Sequence, residues 1–254
     1  MLLEISGKTD VGRQRTRNED HLLIMEEYSL TAVADGMGGH VDGNIASQIA
    51  VDTLMEKYTT DYQQIMDEFG KSPEKLLQEQ EKFLSKTVQD ANKNIFSRNR
   101  GAFSLEGMGT TIVALQISLG YAITACVGDS RIYLLRKNNL VQLTQDHSLV
   151  SELLRYNIIA AKDLHRLQNK NIITRALGMS ETVLVDTNTH EIFAGDIFLL
   201  CSDGLTDLMT DEKIGEILAQ NQKDIQIAKD LLVDEANNLG GQDNITVSIL
   251  KINE

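Results

Sequence analysis

The chain is short of cysteine, of proline and of positive charge. Two cysteines occur in 254 residues, Cys126 and Cys201, and no C-x-x-C spacing joins them. That excludes a zinc knuckle. Each thiol sits in an apolar run, A-I-T-A-C-V or I-F-L-L-C-S, as reduced core cysteines of a cytosolic protein do; a disulfide or a thiol nucleophile is the other reading. Lysine and arginine number 24 against 37 acidic residues, a formal charge of −13. A nucleic-acid binder needs a basic footprint, and an anionic membrane surface repels such a chain, so neither is an expected partner. No apolar stretch approaches the roughly 18 residues of a membrane span. Residues 1–9 carry Glu4 and Lys8 and lack the apolar run of a secretion signal, so a cytoplasmic location is expected. The single proline, Pro73, follows Ser72 at a helix start. There is no Gly/Ser linker, charge block or repeat, and 42 % of residues are hydrophobic, enough for a real core. One domain over residues 1–254 is expected.

What is present divides into strand runs and helix periods. Residues 30–34, 110–117, 121–127 and 197–201 are apolar runs bounded by Gly, Asp or Asn; 131–135, 140–144 and 245–252 are shorter or alternating ones. Residues 246–252, T-V-S-I-L-K-I, alternate apolar and polar, as a half-solvated antiparallel strand should. Three residues with Gly120 separate two runs, a hairpin signal, and Lys137-Asn138-Asn139 makes the next turn. Helical spacing places Ile45, Ile49, Leu54 and Tyr58 on one face. It also marks residues 73–99, and a stripe of Ile225, Ala228, Leu231, Leu232 and Ala236 that Gly240-Gly241 stops. Strand pairs with helices between them suggest two packed sheets with helices outside.

The acids are placed unevenly. V-A-D-G at 33–36, V-G-D-S at 127–130 and C-S-D-G at 201–204 each end an apolar run, and G-G-Q-D-N at 240–244 precedes one. Glu19-Asp20 stands before the apolar residues 22–25. Any one Asp–Gly is ordinarily a turn or a cap. Five similarly placed acids are harder to dismiss, because clustered carboxylates repel and burial makes each more costly. A divalent cation removes that cost, and oxygen donors without His or Cys select Mg²⁺ or Mn²⁺ over Zn²⁺.

These segments, with T-D-V-G-R-Q-R-T-R-N-E-D at 9–20, V-A-D-G-M-G-G-H at 33–40, G-M-G-T-T at 107–111, Q-D-H-S at 145–148 and I-T-R-A-L-G at 173–178, occur in order. Together they resemble the bacterial metal-dependent protein phosphatases of type 2C, the PPM family, from about residue 9 to 247. The resemblance implies an α+β fold: a four-layer α-β-β-α sandwich of two antiparallel sheets flanked by helices. It also implies a binuclear Mn²⁺ or Mg²⁺ centre, with room for a third ion. Asp35 would bridge two ions and the Gly36 carbonyl would reach one. Asp203 and Asp243 would hold the other. Asp20 would act on the Gly36 side through water, with Glu19 the neighbouring candidate, and Asp129 with Asp203 matches a third-metal site. A metal-activated water would then attack a phosphomonoester in line. Arg15, five residues before Asp20, matches the family's phosphate-binding arginine, flanked by Arg13 and Arg17. His40 would donate a proton or contact substrate. Animal relatives have a histidine directly after Asp-Gly, where Met37 stands here.

The implied substrates are phosphoserine and phosphothreonine proteins, the implied counterpart a bacterial Ser/Thr kinase, and the default state a monomer. Hydrolysis of small phosphoesters or phosphohistidine on the same site is an alternative. Binding without turnover is another, against which the intact set Asp35, Gly36, Asp203 and Asp243 speaks. No G-x-x-x-x-G-K-[ST] loop, G-x-S-x-G elbow or D-x-D pair offers a different reaction. The flap of the family corresponds to about 145–178. Its stretch 157–170 lacks the acidic, His-Pro-containing text of many relatives. Lys162, Arg166 and Lys170 make it locally basic, fit for an acidic phosphopeptide or for a solvated helix face. His147 is expected to hold structure by hydrogen bonds, and His21, His165 and His190 to sit on the surface or in packing.

Overall fold

The computed structural model describes residues 2–38, 42–99, 107–156, 158–159 and 172–253. Among them, eleven strands form two sheets, all of whose pairs are antiparallel. The first contains β1 (Leu3–Asp10), β7 (Arg131–Arg136), β8 (Asn139–Gln142), β10 (Ile197–Cys201) and β11 (Ile245–Ile252), ordered β1-β11-β10-β7-β8. The second contains β2 (Asp20–Met25), β3 (Leu30–Met37), β5 (Ile112–Ser118), β6 (Tyr121–Val127) and β9 (Asp186–Glu191) in the order β2-β3-β5-β6-β9, with the short β4 (Gly109–Thr110) beside β3. Helices α1 (Asp42–Thr60), α2 (Tyr62–Phe69) and α3 (Pro73–Asn99) accompany the second sheet. After α4 (Leu149–Arg155) and α5 (Asp203–Thr206), helices α6 (Asp211–Gln220) and α7 (Ile225–Asn238) cover the first. The four-layer α-β-β-α sandwich is therefore present.

Three apolar layers hold it. Val33, Val113, Leu115, Phe198, Leu200 and Leu250 interlock between the sheets. Ala46, Ala50, Leu54 and Tyr58 of α1 recur every fourth residue and are fully buried, so small alanines let the helix lie close to its sheet. Ile45 and Ile49, expected on that face, are only partly buried at its margin. On α7 the buried stripe runs through Ile225, Ala228, Leu232, Val233 and Ala236, while Leu231 faces solvent. The Asp224 side chain caps α7, accepting from the amides of Gln226 and Ile227. Both cysteines are free and buried, and burial pushes the Cys201 thiol up to about 12.

One expectation fails. The alternation in β11 does not mark a half-solvated strand; its residues are buried on both faces save Lys251, which is half-buried. The strand lies between β1 and β10, with Ile245, Val247 and Ile249 against the α6/α7 layer. Its polar residues instead meet hydroxyls: Ser248 Oγ lies 2.7 Å from Thr31 Oγ1 of the facing sheet, and Thr246 Oγ1 2.7 Å from Thr9 Oγ1 on β1. Paired hydroxyls are buried without an unmet donor, so period two reports polar pairing here rather than solvent.

Candidate metal centre

The acidic residues come together because of where strands stop. Asp35 lies near the C-terminal end of β3, Asp129 follows β6, Asp203 opens α5 after β10, and Asp243 precedes β11. In register, Cys201 pairs with Val247, Asp10 with Ile245 and Asp20 with Asp35, which puts these strand ends at one end of the sandwich. A cleft of ≈ 550 Å³ opens there, lined by Arg15, Arg17, Glu19, Asp35, Gly36, Met37, Asp203 and Asp243 among others. A second hollow of ≈ 350 Å³, with Asp129, Asp146, Asp203 and Asp207 in its wall, lies on the other side of Asp203. Asp203 is thus common to both.

Electrostatics make the cluster costly as it stands. Burial first, then the charges of Asp20 and Asp203, raise Asp35 well above the usual carboxylate range, and Asp35 shares a hydrogen bond with Asp203. Burial and then Asp129, Asp207 and Asp243 push Asp203 up to about 8. Burial, followed by Asp146 and Asp207, pushes Asp129 up to about 6. The Oδ1 atom of Asp129 is buried and has no hydrogen-bond partner. A buried acceptor in that condition costs about 1–3 kcal/mol unless something positive meets it. Among the described residues, no three His, Cys, Asp or Glu side chains gather closely enough to hold an ion by themselves. Mg²⁺ and Mn²⁺ do not ask for that: Mg²⁺ keeps several waters and takes one or two carboxylates. The all-oxygen donors, the backbone carbonyl at Gly36 and the orphaned Asp129 oxygen fit such ions.

Asp20 does not line the cleft. It is buried a layer beneath, where Ser202 Oγ donates to its Oδ2 at 2.7 Å, and burial pushes it up to about 6. Glu19 does line the cleft, and its carbonyl accepts from the Gly36 amide at 3.2 Å and from Ser47 Oγ. Gly36 must be glycine, since a Cβ there would collide with the carbonyl oxygens of Gly43 and Glu19. Arg15 is exposed, and its Nη2 donates to Asp243 Oδ2 at 2.7 Å. His40 and His165 lie outside the described residues, as do Lys162, Arg166 and Lys170 of the expected basic segment.

His147 has the structural role expected of it. Its Nδ1 accepts from the Gly128 amide at 3.0 Å, which leaves the proton on Nε2, facing Asp186 Oδ2 at 3.0 Å, while Arg175 Nη1, 2.9 Å from Nε2, donates to Asp186 Oδ1. Burial lowers its pKa and keeps it neutral. His21 pairs its Nδ1 with Ser47 Oγ at 2.9 Å.

Three positioning residues went unread in the sequence although each lies inside a quoted motif. Asn244 donates to the carbonyls of Val11 (3.0 Å) and Arg17 (2.9 Å) and accepts from the Glu19 amide (2.8 Å), which fixes the loop that presents Arg15. Thr110 Oγ1 donates to the Asp35 carbonyl at 2.8 Å, and Thr111 Oγ1 accepts from the Asp35 amide at 3.1 Å. Thr111 Oγ1 also lies 2.7 Å from Ser130 Oγ, beside Asp129. For Asn244 the available signal was an amide next to Asp243; Thr110 and Thr111 lie far from Asp35 in the chain and reach it only through the pairing of β3 with β4.

Residues 11–230 match the family model described as Protein phosphatase 2C. The chain is 40 % identical over 249 residues to the serine/threonine phosphatase stp of Listeria monocytogenes, covering 96 % of this chain and 94 % of that one. It is 37 % identical over 257 residues to protein phosphatase PhpP of Streptococcus pneumoniae, covering 99 % and 98 %. Among solved structures, the Mycobacterium tuberculosis serine/threonine phosphatase PstP/Ppp superposes with a TM-score of 0.85 at 33 % identity over the whole of both chains. A PstP catalytic domain in complex with two manganese ions gives 0.82 at 32 % identity, covering 99 % of each. With its motifs folded around one acidic cleft and its length matched almost end to end, the chain belongs to the protein phosphatase 2C family.

Proposed function

We propose that this chain hydrolyses phosphoserine and phosphothreonine monoesters in proteins, assisted by divalent cations at the carboxylate cleft. One observation carries the reading: Asp35, Asp129 and Asp203, from three separate strand ends, stand half-buried around the cleft and its adjoining hollow, and each holds its proton more tightly than normal. A fold tolerates such crowding where cations offset it. Asp35, the Gly36 carbonyl, Asp203 and Asp243 hold two Mn²⁺ or Mg²⁺ ions, and Asp129 with Asp203 serves a third. When bound, such ions lower the pKa of water toward about 7 and offset charge growing on the phosphoryl oxygens.

The remaining work falls to the protein. The planar guanidinium of Arg15 meets two phosphoryl oxygens and orients the group for in-line attack. Asn244 keeps the Arg15 loop in place through its three bonds. Thr110 and Thr111 hold the backbone of Asp35 from both sides. Asp20 acts from below, through Ser202 and through its charge on Asp35. His40 donates a proton to the departing alkoxide or touches the substrate. The working unit is one catalytic domain over residues 1–254, a cytoplasmic monomer whose counterpart is a Ser/Thr kinase. Relatives matched over almost their whole length and named serine/threonine phosphatase or protein phosphatase favour this over small-ester or phosphohistidine hydrolysis and over binding without turnover.

Phosphate release from a phosphothreonine peptide in Mn²⁺, with a chelator control, tests the reading. Release that the chelator abolishes is expected. Absence of release at saturating Mn²⁺, or release indifferent to chelator, overturns it.

A further inference from the structure

The cleft has linings of two unlike kinds. Arg15 and Arg17 supply cations. The apolar kind begins at Met37, where β3 ends; Met37 lines the cleft, and its antiparallel partner in register is Gly109 of β4. Directly opposed residues of an antiparallel pair face the same way, so whatever stands over Gly109 stands beside Met37. What stands there is Met179: a Cβ on Gly109 would lie 3.1 Å from its Sδ and 3.4 Å from its Cγ. The glycine therefore makes the space that Met179 fills. Met179 is 53 % exposed. Ile173 also lines the cleft, and Ile172 before it is 44 % exposed. None of these four side chains belongs to the apolar layers that hold the fold. An apolar rim continuous with a polar cleft marks an interaction surface.

We infer that Met179, with Met37, selects protein substrates by docking an apolar side chain next to the phosphorylated residue. This rests on the phosphatase reading above. The occupant follows from continuity: with the phosphoryl group in the cleft, the next residue of an extended segment lies only about 3.3–3.6 Å farther along. Thioethers suit the task, because an unbranched, polarisable side chain adapts to apolar partners of different shape. The arginines of the cleft, Arg15 and Arg17, suit the phosphoryl group, which leaves Met37 and Met179 to read a hydrocarbon group.

The test compares phosphothreonine peptides that carry leucine, serine or glutamate at the flanking positions, assayed in Mn²⁺ with the native chain, Met179→Leu, Met179→Ser and Met179→Lys. The native chain is expected to prefer the leucine peptide by roughly 10-fold in kcat/KM, mainly through KM, the discrimination one apolar contact gives. Met179→Leu keeps the preference, Met179→Ser abolishes it, and Met179→Lys moves it toward glutamate-flanked peptides. The serine peptide is the internal standard that separates a docking defect from a folding defect. Equal values for leucine and serine peptides in the native chain, or a preference that survives in Met179→Ser, overturn the inference while leaving the phosphatase standing. No turnover of any phosphopeptide by the native chain would instead remove the phosphatase reading itself.

Discussion

Two polar clusters, one buried and one half-buried at the cleft, sit in this molecule and obey opposite rules. Beneath α1, α2 and α3, Tyr58 Oη donates to Gln116 Oε1 at 3.0 Å, and Gln116 Nε2 and Gln80 Nε2 donate to Tyr62 Oη at 2.7 and 2.6 Å. The rings of Tyr58 and Tyr62 stack at 5.0 Å, with Tyr28 and Phe83 set edgewise around Tyr58. The groups there are neutral, and of its side-chain atoms only Gln80 Oε1 is buried without a partner. At the cleft, like charges are gathered and burial raises the proton affinity of each. The first arrangement satisfies all but that one neutral acceptor from within and stabilises the fold. The second is completed only from outside, which is what a binding site requires.

Replacing one residue in each cluster should therefore give results of opposite kind. Asp35→Asn is expected to lower kcat on a phosphothreonine peptide by at least about 10³, or ~4 kcal/mol in the barrier. In chelator, the same variant should melt at or above the native temperature, because a repelling buried charge has gone. Near-normal turnover at saturating Mn²⁺ would remove Asp35 from its role. Gln116→Ala should do the reverse: a loss of ~3 kcal/mol in denaturant unfolding, from a cavity plus the stranded hydroxyl of Tyr58, with kcat retained. If Gln116→Ala abolished turnover in folded protein, the two clusters would not be separable.

Arg15→Ala falls between these extremes. The side chain is exposed and touches the cluster only through Asp243. An exposed pair contributes little to stability, so unfolding should barely change. KM for phosphopeptide should rise by about 10-fold, since binding made in ground and transition states alike is lost. An unchanged KM would make Arg15 a surface loop residue.

The two clusters also differ in how far the sequence announces them. The cleft is legible because acids recur where apolar runs stop, at Asp35, Asp129 and Asp203, and short side chains at strand ends have fixed directions. The tyrosine and glutamine cluster is assembled from helices and a strand far apart in the chain, and no local pattern signals it. The same reasoning covers the elements that went unread. β9, D-T-N-T-H-E, is a polar edge strand made by pairing with β6, and β1 and β2 are edges supplied by β11 and β3. Their partners, not their own alternation, define them. β11 misled in the other direction, because its polar positions are satisfied by hydroxyls across the sheets. Helices with strong periods and clear ends, α3 after Ser72-Pro73 and α7 after Asp224, lie where spacing puts them.

Tyr58→Phe is the finest test of the division. It deletes one oxygen and keeps the ring contacts at 5.7, 5.0 and 5.2 Å to Tyr28, Tyr62 and Phe83. What it removes is the donor to Gln116 Oε1, which leaves that acceptor buried and unmet. The expected cost is ~1 kcal/mol, the lower end for a stranded neutral acceptor, since no cavity opens beyond one atom. A shift of the urea midpoint with unchanged slope would register it, and kcat and KM should stay at native values. No shift at all would mean that the hydroxyl bond contributes nothing net and that ring packing alone holds the cluster. A fall in kcat would mean that the tyrosines reach the cleft through β3 and β5, and the contrast between a self-satisfied cluster and an ion-dependent one would have to be abandoned.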